Sequence, residues 1–191
     1  MNKYYDTSLV DKAIIYATNK HKNTRRKGKD IPYIIHPLEA MAIVETITDD
    51  NELLAAAVLH DVIEDTDATY EDLKKEFGKR VADIVLDEST TEIPNYKNMT
   101  WVESRQAGID SLKKANLDTK IVALGDKLSN MRAINSDFKK NGDEFWLRFK
   151  VTDPKIHKWR YYELLNCFEG LEDTNAYKEF KKLVIETFNG I

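Results

Sequence analysis

The sequence predicts an all-α protein, and three observations carry that reading. Apolar residues recur mostly at three- and four-residue spacing, the period of a helix face. Seven glycines and four prolines in 191 residues fall well below the roughly 12% of average usage, too few breakers for the many tight turns of an all-β chain. No alternating strand pattern of useful length, repeat or low-complexity linker interrupts the helical spacing. A chain of this length suits one domain with a sizeable core, spanning 1–191.

Val10, Ile14, Ile15 and Ala17 mark a first helix running toward His21. A basic connection from Lys22 to Pro32 follows, then a short extended piece, Tyr33-Ile34-Ile35. Pro37 fits the first turn of a helix carrying Met41, Ile43 and Val44. Asp49 or Asp50 caps the next, whose run from Leu53 to Leu59 reads as fully buried. Thr69 opens a helix that stops at Gly78, and another covers Val81 to Leu86. Thr100-Trp101-Val102-Glu103 is a capping box for a helix toward Lys114. A further amphipathic helix spans Asp118 to Ile134. Asp153-Pro154 reads as an N-cap followed by proline at the first helical position, with helices from there to the C-terminus. Loops are expected near 22–36 and 87–99.

Composition narrows the function classes. Lysine and arginine number 29 against 33 acids, a net charge of −4, which argues against a general polyanion binder. With no recognised DNA-binding motif either, no nucleic-acid partner is expected. No run of about 18 apolar residues marks a membrane span, and the N-terminus lacks a signal peptide's continuous apolar stretch. A cytoplasmic setting follows as the expectation. The single cysteine, Cys167, cannot form an internal disulfide, and its apolar surroundings from Tyr161 to Phe168 suit a buried thiol.

The most informative stretch is His60-Asp61-Val62-Ile63-Glu64-Asp65. At about 100° per residue, positions 60, 61, 64 and 65 share one arc of a helix end. One imidazole and three carboxylates crowded there are unfavourable unless a cation compensates them. The alternative is a helix end emerging into solvent, where acids are well hydrated. His36-Pro37 holds a ring at a loop-to-helix junction, and Asp126 lies within the apolar Ile121-Val122-Ala123-Leu124-Gly125, with Asn130 one turn later on the same face. Taken singly, that histidine and that aspartate read equally as packed structural residues. Gly125 in a helix interior costs about 1 kcal/mol against alanine, which implies close approach of another segment.

Together these segments spell H…HD…D, the ligand order of the HD phosphohydrolase superfamily. The stretches RRKGKDIPYIIHP (25–37), HDVIEDT (60–66), TWVESRQ (100–106) and GDKLSNMR (125–132) resemble the hydrolase domain of the RelA/SpoT-homologue family over residues 8–135. With no room for the synthetase and regulatory domains of long members, the chain is most similar to a small alarmone hydrolase. It departs from the family at Asn23-Thr24, where glycine-glutamine is frequent, and at Gly125, where alanine is common.

The resemblance implies an HD-domain helical bundle and an enzyme, a Mn-dependent guanosine-3′,5′-bis(diphosphate) 3′-pyrophosphohydrolase. It would release pyrophosphate from ppGpp or pppGpp to leave GDP or GTP, lowering the alarmone of the stringent response. His36, His60, Asp61 and Asp126 match the ligands of one Mn²⁺, a donor set that suits a hard-to-borderline ion. Glu64 and Asp65 match the acidic pair that orients or deprotonates water. Arg26, Lys27 and Asn130 match the contacts to the guanine nucleotide; Arg26 and Lys27 lie in a segment carrying also Lys20, Lys22, Arg25 and Lys29 that composition alone would make a solvated loop. Trp101 and Arg105 are expected to be structural, His157 to be solvent-facing or structural, and His21 to pack beneath the basic loop. The rival readings are an HD nucleotidase acting on another phosphorylated nucleotide and a catalytically silent nucleotide sensor.

Overall fold

A computed structural model describes residues 6–89, 94 and 98–191. Among them the regular structure is helical, with one isolated antiparallel bridge between Arg25 and Pro32. In chain order the helices are α1 (Ser8–Lys20), α2 (Ile35–Glu45), α3 (Asn51–Leu59), α4 (Val62–Asp65), α5 (Tyr70–Phe77), α6 (Lys79–Glu88), α7 (Trp101–Lys114), α8 (Leu117–Asn141), α9 (Pro154–Leu165) and α10 (Asn175–Phe188), with a 3-10 helix at Gly142–Arg148 between α8 and α9.

The caps follow local sequence chemistry. Asp50, rather than Asp49, accepts from the Glu52 amide, and Asp153 accepts from Lys155 ahead of Pro154. Thr69 with Asp72 and Thr100 with Glu103 close reciprocal capping boxes. Asn116 caps α8 through the Thr119 amide, and the helix runs to Gly142, where φ is +58°, so it exceeds the expected Asp118–Ile134 span at both ends.

α8 is the central element. It packs on α2, α3, α6 and α10, while α1 lies on α3 and α9 joins α7 to α10. Leu59, Leu73, Leu124, Leu128, Met131, Phe168 and Phe180 are fully buried in the core. Each contributes roughly 1.5–3 kcal/mol by leaving water. Leu54 alone in the Leu53–Leu59 run is only partly buried. Gly125 supplies the close approach its position implies: an added Cβ would lie 2.8 Å from the Ala40 carbonyl oxygen of α2 and 2.8 Å from Val44 Cγ2.

Three expectations need correction. Tyr33-Ile34-Ile35 is not extended; amides of Ile35 and His36 donate to Pro32 and Tyr33 carbonyls in a turn that already starts α2. Its β-branched and aromatic composition reads as a strand, but beyond the single bridge no partner strand exists among the described residues. The helix through His60 is interrupted at His60 and Asp61, so that α3 and α4 are separate pieces. The loop expected from 87 begins later, because α6 runs through Glu88; residues 90–93 and 95–97 of that loop lie outside the described residues.

Candidate active site

Three chain segments converge beside α8. The first turn of α2 brings His36, the break between α3 and α4 brings His60 and Asp61, and the interior of α8 brings Asp126. His36, His60 and Asp126 each offer a donor atom, all within 4.8 Å of one another, as a metal ion would require. His36 Nε2 is 3.0 Å from Asp126 Oδ1, and His60 Nε2 is 2.9 Å from Asp61 Oδ2. The crossed distances, His36 to Asp61 and His60 to Asp126, are both 3.6 Å.

The far side of each ring fixes its tautomer. The Ser129 hydroxyl donates to Glu39, so at 2.7 Å it accepts from His36 Nδ1. His60 Nδ1 donates to the Ala57 carbonyl at 2.8 Å, since a carbonyl can only accept. Nδ1 of each ring thus carries a proton, which leaves Nε2 as the atom turned to the carboxylates, and His60 Nε2 is buried without a hydrogen-bond partner.

The electrostatics call for positive charge at this point. Burial would raise the Asp61 carboxyl, but the His60 imidazole beside it holds it well below the carboxylate range. Burial works equally against Asp126, which the Lys127 ammonium and then both histidines hold far down. His60 is driven well above its usual value by Asp61 and Asp126 despite its burial. His36 goes the other way, since burial there outweighs Asp126. Two imidazole nitrogens and two carboxylates fit a divalent ion of hard-to-borderline character.

Supporting groups hold the carboxylates still. Tyr33 donates its hydroxyl to Asp61 Oδ2. Lys127 Nζ sits 2.6 Å from Asp126 Oδ2 and also binds Glu88, while Asn130 donates to Asp126 Oδ1. Arg26 in turn donates to Asn130 Oδ1, so a relay of side chains runs from the basic loop to Asp126. Glu64 and Asp65 line the cavity of about 260 Å³ over this cluster. The surrounding protein and the charge of Asp61 raise the Asp65 carboxyl from its ordinary value.

A second cavity of about 580 Å³ adjoins the first, and Arg26, Ser104, Arg105, Asn130 and Arg160 line both. Lys27 lines the second, its ammonium 5.5 Å from the Phe149 ring. Of the site residues expected from the sequence, all but the buried His60 line one or both of these cavities. Trp101 lines the second and Arg105 both. His157 is buried and structural, its Nε2 donating to Val151 and its ring stacked on Trp146, and His21 is buried against Tyr33.

Tyr33, Lys127, Ser129 and Arg160 escaped the sequence reading. Ser129 follows Asp126 by three residues and Lys127 adjoins it, so helical spacing carried a signal for both. Arg160, in the mixed run Lys158-Trp159-Arg160-Tyr161, carried none.

Comparison with known proteins agrees with this geometry. The HD domain family matches residues 13–145. The guanosine-3′,5′-bis(diphosphate) 3′-pyrophosphohydrolase MESH1 of Drosophila melanogaster is 35% identical over 180 residues, 93% of this chain and 92% of that one. Its counterpart from Xenopus tropicalis is 32% identical, covering 92% of each. The structure of a metazoan orthologue of SpoT, which hydrolyses ppGpp and plays a role in starvation responses, superposes with a TM-score of 0.77 at 27% identity, over 94% of this chain and 95% of that one.

Proposed function

This chain belongs to the HD-domain family, and on that premise we propose that it is a single-domain, metal-dependent hydrolase of ppGpp and pppGpp. It releases pyrophosphate from the 3′ position and leaves GDP or GTP. The observation that carries this reading is the convergence of two imidazole Nε2 atoms and two carboxylates beside an arginine- and lysine-lined cavity. The names of the relatives with most of their length in common supply the substrate.

His36, His60, Asp61 and Asp126 hold one divalent ion, which we assign as Mn²⁺ from the mixed imidazole and carboxylate donors. When bound, the ion polarises phosphoryl oxygens and lowers the pKa of water. Glu64 takes the proton from the attacking water and Asp65 orients it. The water oxygen bonds to the phosphorus on the ribose 3′ oxygen; that P–O bond breaks, and the ribose oxygen regains a proton. Arg26 stacks on the guanine, Asn130 contacts the nucleoside, and Lys27 meets phosphate. Tyr33, Lys127 and Ser129 orient the ligating side chains. A cytoplasmic setting goes with a free nucleotide as substrate and with the buried, unpaired thiol of Cys167.

The test is a panel of phosphorylated nucleotides offered to the protein loaded with Mn²⁺, Zn²⁺ or Ca²⁺ or stripped by chelator, with product identification. GDP and pyrophosphate from ppGpp, abolished by chelation and best restored by Mn²⁺, are expected. Full turnover in a verified metal-free preparation overturns the ion, and no cleavage of ppGpp in any metal overturns the substrate.

A further inference from the structure

Among the described residues, Arg26, Arg105 and Arg160 have no carboxylate paired to them, and Arg26 is held by Asn130. Arg80, Arg132 and Arg148 are each paired with carboxylates. The guanidinium groups of Arg105 on α7 and Arg160 on α9 have no ion pair or hydrogen bond among the described residues, and Arg105 Nε is buried without a partner. Both stand beside one ring, with guanidinium carbons 5.5 and 5.9 Å from the centre of Trp101. Burial, reinforced by the charge of Arg105, lowers the Arg160 guanidinium from its usual value. Like charges gathered in a partly enclosed site are unfavourable until an anion joins them.

Position tells which anion. His36, Asp61 and Asp126 border only the first cavity, whereas Arg105 and Arg160 border both. A phosphate held by the arginines is therefore offset from the bond at the acidic end, toward the basic cavity. The substrate class assigned above carries phosphate on both sides of its ribose. We propose that Arg105 and Arg160, steadied by Trp101, clamp the 5′-phosphate chain of the nucleotide and so select substrates phosphorylated at both 3′ and 5′ positions. Guanidinium forks suit this task, because each can give two parallel hydrogen bonds to one phosphate. The assignment rests on the hydrolase reading, but the clamp can be tested without turnover.

GDP, which carries the 5′ chain and no scissile group, is titrated against guanosine by calorimetry on the full chain. Arg105→Gln and Arg160→Gln should each weaken GDP by at least about tenfold, the worth of one hydrogen bond to a charged group, and leave guanosine unchanged. Arg105→Lys and Arg160→Lys should fall between, and they carry the comparison if the glutamine variants fail to fold. In turnover, KM should rise from pppGpp through ppGpp to pGpp in the wild type, and this gradient should flatten in the variants with kcat little changed. Undetectable GDP binding, or equal GDP affinity in folded variants, overturns the clamp. Arginine-dependent GDP binding without hydrolysis of any nucleotide leaves the clamp standing and overturns the hydrolase reading; normal hydrolysis with unaltered KM in the variants does the reverse.

Discussion

Gly125 of α8 faces the carbonyl oxygen of Ala40 in α2 so closely that a methyl group placed there would lie 2.8 Å from it. The obstacle is backbone and cannot rotate away, so Gly125→Ala must push the helices apart. Overpacking of this kind costs about 1–3 kcal/mol, against which better helix propensity returns about 1 kcal/mol. We expect a net loss of stability by urea denaturation. Weaker metal retention should accompany it, because α2 carries His36. An alanine variant as stable as the parent would show that α2 shifts freely.

Asp126 ties the proposed ion site to the half-buried Lys127. Asp126→Asn removes one of the proposed ligating charges and leaves Lys127 with only Glu88. Bound metal, read by elemental analysis after dialysis, should drop sharply. Stoichiometric metal and normal turnover in this variant would make Asp126 merely structural.

Arg26 and Lys27 should separate recognition from chemistry. Each alanine substitution is expected to raise KM for ppGpp, with metal content unchanged and kcat little affected, as when a contact is made equally in ground and transition states. Arg26→Ala should show the larger effect, since Arg26 also holds Asn130. If KM stays at the parent value in both, the segment is only a solvated loop.

Glu64→Gln keeps size and hydrogen bonding while removing basicity. With Glu64 as the proton acceptor, kcat should fall by about 10²–10⁴. Metal content should hold, and substrate affinity could rise because one negative charge facing an anion is gone. Wild-type single-turnover rates with full metal would take Glu64 out of the mechanism and leave Asp65 to act alone.

Much of this architecture was legible because it rests on local rules. Thr69, Thr100 and Asp153 announce their helices through side chains that satisfy amides within three residues. His36, His60, Asp61 and Asp126 stood out as polar residues in apolar or rigid settings, and their meeting around one point followed from motif resemblance rather than periodicity. The rest depends on tertiary contact. Tyr33 sits in a run that propensity makes a strand, and only its turn toward Asp61 gives it a role. Arg160 acquires significance from Arg105, 55 positions earlier by the numbering, and from a cavity that no sequence window spans.

The HD match ends at residue 145, yet the connected cavities do not. All four donors and both acids precede that point, whereas Phe149, Lys150, Arg160 and Tyr161 lie beyond it and line the basic space. Those later residues are anchored by the ring cluster of Phe145, Trp146, Phe149 and His157, not by the donors. The basic space thus draws on both parts of the chain, Arg26, Lys27 and Arg105 from before that point and Phe149, Lys150 and Arg160 from after it. A substitution beyond residue 145 can therefore reshape its wall without touching His36, His60, Asp61 or Asp126.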